Sequence, residues 1–326
     1  MTTHELTARS MAAAAGDLGS GNLENAVLAH LTGTDAITAA RLAGTSAERL
    51  ARAATRYRTA GRAALAPAPS GWAQVNLKFT DYAAAETVFR AGLSPVMQEP
   101  WWFVRKAPCW RLRYRLPDES AAMPNDLHAA LDAMIADGAL GQWTQAPYEP
   151  ETAAFGGREG LAAVHAIHVA DAVGLFTYLD AAAADRACDG LGRSVASLMV
   201  LSHLMRAAGV EWNEQGDVWA RVQAQRPPAR ATDEQIAKLA AKARTALAAD
   251  LTHLIADEPR FSGLSTWATG MQNAGEQLAA VVREGRLQAG VRTVLARVVA
   301  FCWNRAGFTT DQQAVWARAA RLAILE

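Results

Sequence analysis

Three arginines occupy alternate positions of one predicted strand. Arg111, Arg113 and Arg115 are separated by aromatic and apolar residues in the segment WRLRYR. Because side chains alternate across a strand, the three guanidinium groups share one face of a sheet. Neighbouring cations repel one another unless an anion lies among them, and a guanidinium binds a carboxylate or phosphate through two hydrogen bonds. The pattern indicates either an anion pocket on the sheet or a solvent-exposed face balanced by acids on a neighbouring strand.

The segment YEPETAAFGG, residues 148–157, leads directly into a predicted helix. Its acidic residues, Glu149 and Glu151, are available to pair with the arginines. They fit equally in a turn favoured by Pro150, because acidic residues are common near the start of a helix. Both interpretations stay open at this point.

His165, His168 and Asp171 recur every three residues along the following helix. This spacing places them on one helix face. A histidine oriented by an aspartate can act as a general base, and the same set can also be a hydrogen-bonded element of the core. A zinc site requires further ligands that the sequence does not place, so we expect no metal.

Two other groups could take part in chemistry. Asn304 and Arg305 lie in FCWNRAGF, where a predicted helix ends at Gly307, and they could cap that helix or reach into a cleft. The chain also has ten tryptophans. They fit a packed core or a groove that binds a peptide through aromatic side chains. The tryptophans that we select as candidate substrate contacts are Trp101, Trp110 and Trp303.

The elements predicted to position these residues change in type along the chain. Strands with alternating patterns are predicted from residue 72 to residue 148, interrupted by two helices, and almost only helices follow. This order indicates an α+β fold, in which a small antiparallel sheet is packed with many helices. The proline-rich segment LAPAPSG, residues 65–71, predicts a linker. The expected division is a helical N-terminal extension over residues 1–65 and a main domain over residues 71–326.

The N-terminal extension is predicted to be all-helical and short. Asn22 and the Thr45–Glu48 pair are predicted helix caps, and a second helix is predicted from about Asp35 to Leu42. Arginines outnumber acids from residue 35 to residue 62, so the extension fits either a helical docking module or a DNA-binding helix–turn–helix.

Composition excludes several protein classes. Lysine plus arginine and aspartate plus glutamate both number 32, so the 326-residue chain lacks the basic excess of a dedicated nucleic-acid binder. Its three cysteines lie far apart and form no CxxC motif. The N-terminus lacks the pattern of a signal peptide, and no stretch approaches 18 unbroken apolar residues. We expect a cytoplasmic protein with no membrane partner, no nucleic-acid partner and no cofactor.

Several segments, taken in order, resemble the thiopeptide-type bacteriocin biosynthesis domain family. That family includes the glutamate-elimination domain of lantibiotic dehydratases and the thiopeptide pyridine synthases. The matching segments, which run from about Trp72 to the C-terminus, are WAQVNLKF, WWFVRKAPCWRLRY, YEPETAAFGG, VHAIHVAD, SLMVLSHLMRAAGVEWNEQGDVWARV and FCWNRAGF.

The resemblance implies that the chain acts on a ribosomally made precursor peptide with a leader. In elimination-type members, a partner enzyme esterifies serine or threonine with glutamate taken from glutamyl-tRNA. The elimination domain then removes glutamate and leaves dehydroalanine or dehydrobutyrine. By resemblance, Arg111 and Arg113 would hold the glutamyl carboxylate, and Glu151 would orient one of them. The groups that would move protons are His168 with Asp171, or His165. The groups that would complete the wall of the cleft are Asn304 and Arg305.

The sequence departs from the elimination-type pattern at three places. Ala154 replaces an arginine before the aromatic-Gly-Gly motif, residues 300–303 lack a histidine, and Ala172 follows Asp171 in place of serine. A pyridine synthase tolerates these losses, because a formal (4+2) aza-cycloaddition of two dehydroalanines, with loss of water and leader peptide, depends mainly on proximity and desolvation. A non-catalytic peptide-binding partner is the third hypothesis.

Overall fold

The structure, a computed structural model, describes residues 22–65, 71–116, 122–184 and 191–326. Contacts divide the chain into two compact units, Met1–Pro69 and Ser70–Glu326. Residues 1–21 of the predicted N-terminal extension lie outside the described ranges.

The described part of the first unit is helical, as predicted. Its helices are α1 (22–31), α2 (Ala36–Leu42) and α3 (Ala47–Leu65). Asp35 caps α2 by accepting hydrogen bonds from the backbone N–H groups of the second and third helical residues. At the start of α3, Ser46 rather than Thr45 accepts from a backbone N–H, that of Arg49. Small residues such as Ala39 and Ala40 let these helices approach closely around Leu50.

The second unit contains one four-stranded antiparallel sheet, with strand order β2–β3–β1–β4. Its strands are β1 (Trp72–Phe79), β2 (Trp101–Lys106), β3 (Cys109–Arg115) and β4 (Leu140–Ala146). The register sets Arg113 opposite Gln74 on one neighbour and Trp102 on the other, so these three side chains share a face. The opposite face is apolar and includes Leu77 and Leu112, which are fully buried.

Helices make up most of the second unit, which confirms the predicted α+β class. They are α4 (Ala85–Gly92), α5 (Asn125–Ala136), α6 (Gly157–Ala183), α7 (Arg193–Ala207), α8 (Trp212–Ala224), α9 (Asp233–Ala248), α10 (Leu251–Asp257), α11 (Ser265–Arg283), α12 (Val291–Arg305) and α13 (Thr310–Leu325). Residues 233–257 form two separate helices, α9 and α10. Ala249 is extended, and Asp250 caps α10 by accepting from two backbone N–H groups.

The 27-residue helix α6 lies at the centre of the core. Gly174 leaves room for α11, since a Cβ at this position would lie 2.5 Å from atoms of Trp267. By length and mean hydropathy α6 could cross a membrane, but 67% of its most apolar window is buried within the protein. Here its apolar character serves helix packing.

Candidate active site

A narrow pocket lies where the polar face of the sheet meets α6, α12 and the segment between β4 and α6. Its lining residues are Trp102, Arg113, Tyr148, Glu149, Glu151, Phe155, Leu161, His165, His168 and Phe301. The free space among them is about 10 Å³, which is about the room needed by one water molecule. Glu149 and Glu151 are exposed at its rim.

Arg113 is the cation at the centre of this pocket. Its guanidinium carbon lies 4.4 Å from the ring centre of Trp102 and 4.6 Å from that of Tyr148. Its Nε donates to Oε1 of Gln74 over 2.9 Å. Burial lowers the pKa of Arg113 to about 10, so the group keeps its charge at neutral pH. Among the described residues no carboxylate lies within ion-pair distance, and the two Nη nitrogens are available to an anion.

The other arginines of β3 do not line the pocket. Arg111 lies on the same face, half-buried, opposite Asn76 and Val104. Arg115 is exposed. Of the three predicted anion-binding arginines, the pocket therefore contains one. Glu151 lies at the rim, but it forms no ion pair with any arginine in the described ranges.

His165 forms a close pair with Tyr148. The Tyr148 hydroxyl lies 2.8 Å from Nε2 of His165. Burial, and then the charges of Arg113 and Arg115, lower the pKa of His165 to about 4. Burial raises the pKa of Tyr148 to about 12. At neutral pH both groups are uncharged and share one hydrogen bond. Sequence reasoning missed Tyr148, although it begins the YEPE segment.

His168 lies in the wall of the same pocket and is fully buried. Its ring centre is 4.4 Å from that of Trp102, and its Nδ1 lies 3.2 Å from Nη2 of Arg305. Burial, and then the charge of Arg305, hold the pKa of His168 well below its usual 6.5. Its Nε2 is buried and contacts no hydrogen-bond partner in the described part of the chain.

The predicted direct pairing of His168 with Asp171 is wrong, because Arg305 lies between them. Oδ2 of Asp171 accepts from Nε of Arg305 over 2.6 Å. Oδ1 accepts from the indole N–H of Trp267 over 3.1 Å. Both carboxylate oxygens are thus engaged, and Arg305 and Asp171 form a buried ion pair behind the pocket wall.

Asn304 does not contribute to the pocket wall as expected. Its Oδ1 accepts from the backbone N–H of Arg105 over 2.8 Å, and its Nδ2 donates to the carbonyl of Arg105 over 2.9 Å. These two bonds pair the N–H and the carbonyl of one residue on the open edge of β2, and they join α12 to the sheet.

The three tryptophans expected to contact substrate are core residues. Trp101 and Trp110 lie on the apolar face of the sheet, where Trp110 stacks on Phe103 with ring centres 4.7 Å apart. Trp303 is fully buried and stacks on Trp219. Trp102, the neighbour of Trp101 on the opposite face of β2, lines the pocket instead.

No group of three or more His, Cys, Asp or Glu residues that could hold a metal ion occurs in the described ranges. The guanidinium of Arg113 can bind an anion, and the Tyr148–His165 pair can transfer protons.

Comparisons with known proteins identify a family and a similar fold. The family model described as lantibiotic biosynthesis dehydratase C-term matches residues 72–324. No curated protein matches the chain. A similar solved structure is the tRNA-dependent lantibiotic dehydratase MibB from Microbispora sp. 107891, with a TM-score of 0.52 and 17% sequence identity. The match covers 79% of this chain and 28% of the MibB chain, so this likeness concerns the fold of part of that enzyme.

Proposed function

Because the chain belongs to the lantibiotic biosynthesis dehydratase C-terminal family, we propose that it is a glutamate-eliminating lyase of ribosomal peptide maturation. Its substrate is a precursor peptide whose serine or threonine side chains carry glutamyl esters. Its products are dehydroalanine or dehydrobutyrine and free glutamate.

One observation carries this proposal: among the described residues the half-buried guanidinium of Arg113 has no carboxylate partner, and it lies beside a neutral tyrosine–histidine pair. Arg113 provides a positive charge that binds the glutamyl side-chain carboxylate. The flanking rings of Trp102 and Tyr148 hold the guanidinium in place. Ion pairs are strengthened in such a water-poor setting. The anion site and the proton-transfer groups therefore lie within one pocket.

The reaction is a β-elimination. The Tyr148 oxygen takes the Cα proton of the esterified residue while the phenol passes its own proton to Nε2 of His165. The electron pair left on Cα forms the Cα–Cβ double bond. The Cβ–O bond breaks, and glutamate leaves as a carboxylate that keeps the electron pair of the Cβ–O bond. Because no net oxidation occurs, the reaction requires no redox cofactor.

The bound substrate increases the basicity of this pair. The charges of Arg113 and Arg115 contribute to the low pKa of His165. A glutamyl carboxylate on Arg113 offsets part of that charge, so the pKa of His165 rises when the substrate is in place. Proton transfer is thus favoured in the complex over the free enzyme.

This reaction requires partners. We propose a glutamyl-tRNA-dependent glutamylating enzyme as the source of the ester and a precursor peptide with a leader as the substrate, both in the cytoplasm. No contact with a membrane or with nucleic acid is part of the proposal.

A second candidate function rests on the aromatic lining of the pocket. Phe155 and Phe301 complete it beside Trp102 and Tyr148, and Phe301 lies in the segment 300–303, which lacks the histidine of elimination-type relatives. A desolvated aromatic pocket suits a pyridine synthase that holds two dehydroalanines together for cycloaddition. The same lining suits a non-catalytic peptide-binding partner, which binds a dehydrated peptide without changing its mass.

The proposal is tested with two synthetic esters of one peptide, a glutamyl ester and a glutaminyl ester that lacks the side-chain carboxylate. The protein should eliminate the glutamyl ester about 10- to 100-fold faster, since a hydrogen bond to a charged group contributes about 1.5–3 kcal/mol. Arg113→Ala should remove this preference. Equal rates for both esters in the unmodified protein would exclude carboxylate recognition by Arg113.

A further inference from the structure

We infer that Arg305 is a positioning residue that fixes His168 in a single tautomer, so that His168 presents an N–H donor, and not a base, to a carbonyl oxygen of the bound peptide. This inference rests on the proposed function for the identity of the oxygen. The tautomer itself follows from the contacts of the free protein.

Only one of the two ring nitrogens of His168 can carry a proton. Nη2 of Arg305 lies 3.2 Å from Nδ1 of His168. A guanidinium has only donors, so Nδ1 must accept and is unprotonated. A neutral imidazole carries one proton, which therefore lies on Nε2.

Buried contacts hold the Arg305 side chain in position. Its Nε donates to Asp171, which also accepts from the indole of Trp267. Nη2 is also 3.3 Å from the sulfur of Cys302. All of these side chains are buried. Arg305 therefore cannot turn away from His168 without leaving the carboxylate of Asp171 unpaired in the core.

The N–H donor of His168 points into the protein without an acceptor from the described residues. Nε2 of His168 is buried and has no hydrogen-bond partner among the described residues, although His168 lines the pocket. A buried donor without a partner costs free energy, and a ligand that supplies the partner recovers it. The ligand must offer an acceptor, which for a peptide is a carbonyl oxygen.

In the proposed elimination, this N–H donor stabilises the charge that forms on the substrate. Removal of a Cα proton places negative charge on the carbonyl oxygen of the same residue. A fixed N–H in a water-poor pocket stabilises that charge without reorganisation. The lone pair of Nδ1 already accepts from Arg305 and Nε2 carries the proton, so His168 has no nitrogen free to accept another proton. Proton removal is therefore left to Tyr148 and His165.

The tautomer is measured directly by nitrogen-15 NMR of the full chain labelled at histidine. We expect Nε2 of His168 to give the signal of a protonated nitrogen and Nδ1 that of an unprotonated one. The signals are assigned by their loss in His168→Gln or His168→Ala. In Arg305→Met, which removes the donor to Nδ1, the tautomer preference of His168 should shift, whereas the signals of His203, a buried histidine outside the pocket, should stay the same. An unprotonated Nε2 in the unmodified protein overturns the inference.

Two substitutions separate a donor from a base on the synthetic glutamyl peptide. His168→Gln keeps an N–H donor but has no nitrogen that accepts a proton, and His168→Ala has neither. We expect the rate of glutamate elimination to fall about tenfold or less in His168→Gln. In His168→Ala it should fall about 10²- to 10³-fold, the usual effect of losing an oxyanion donor. His203→Gln serves as the control for loss of a buried histidine. Equal losses for Gln and Ala, with folding intact, overturn the donor role. If the unmodified protein eliminates no glutamate, the proposed function fails while the NMR result still decides the tautomer.

Discussion

The hydroxyl of Tyr148 and Nε2 of His165 lie 2.8 Å apart, although Tyr148 follows the last strand of the sheet and His165 lies within α6. The contact joins two uncharged groups that lie beside the half-buried cation of Arg113. It also gives His165 a partner that no spacing on its own helix supplies. The proton transfer proposed here depends on this bond.

Tyr148→Phe removes only the hydroxyl of the pair. We expect the rate of elimination to fall about 10²- to 10⁴-fold, the usual contribution of a general acid–base group. Tyr178→Phe is the matched control, because Tyr178 is a buried tyrosine outside the pocket whose hydroxyl donates to the carbonyl of Leu191. Single-turnover rates on the glutamyl peptide measure both. A Tyr148→Phe rate equal to that of the unmodified protein contradicts the relay.

Arg113 and Arg111 provide a second comparison, since they are two residues apart on one face of β3. We expect Arg113→Ala to lower kcat/KM at least about 10-fold, because a charge-assisted hydrogen bond is lost. Arg111→Ala should have a smaller effect, since Arg111 does not line the pocket. Kinetics with the glutamyl peptide decide between them. A larger loss for Arg111 would place the anion site elsewhere on the sheet.

Stability should depend on pH through the buried histidines. The pKa of His165 is about 4 in the folded protein and 6.5 in an ordinary setting. Between these values the unfolded chain binds a proton that the folded chain does not, so the free energy of unfolding falls as the pH falls from 6.5 to 4. One such group contributes about 1.4 kcal/mol per pH unit.

Urea denaturation across this pH range tests that dependence. In His165→Gln, the free energy of unfolding should depend less steeply on pH, by about 1.4 kcal/mol per pH unit. The dependence that remains includes the contribution of His168, whose pKa is also lowered. Identical slopes for the variant and the unmodified protein would show that His165 titrates normally in the folded state.

Gly174 tests the packing that positions α6. A Cβ there would lie 2.5 Å from Trp267, so Gly174→Ala should destabilise the protein by about 1–3 kcal/mol. Gly141→Ala is the control, because the nearest atom to its new Cβ lies at an ordinary 3.6 Å. Thermal or urea unfolding measures both. Equal stability of the two variants would show that α6 and α11 can separate at no cost.

The sequence predicted the fold class and the faces of the sheet well, because both depend on local periodicity. The alternation around Arg113 is a property of one strand, and the helix that begins after Asp35 depends on a few neighbouring residues. The family resemblance added the pocket segments in the right order, and it is confirmed.

The arrangement of the site could not be predicted because it depends on contacts between distant segments. Asn304 bonds the backbone of Arg105, 199 residues away. Arg305 enters between His168 and Asp171 from α12, so the helical spacing of those two residues was misleading. Which arginine of β3 lines the pocket depends on Tyr148, which comes from a segment without regular structure.

The most direct test of the proposed function is mass spectrometry of two forms of one precursor peptide, each incubated with the purified protein. One form carries glutamyl esters on serine, and the other already carries dehydroalanines. We predict loss of glutamate from the first form and formation of a dehydroamino acid, with the second form unchanged. An unchanged first form together with release of leader peptide from the second would contradict the lyase and assign ring formation to this pocket.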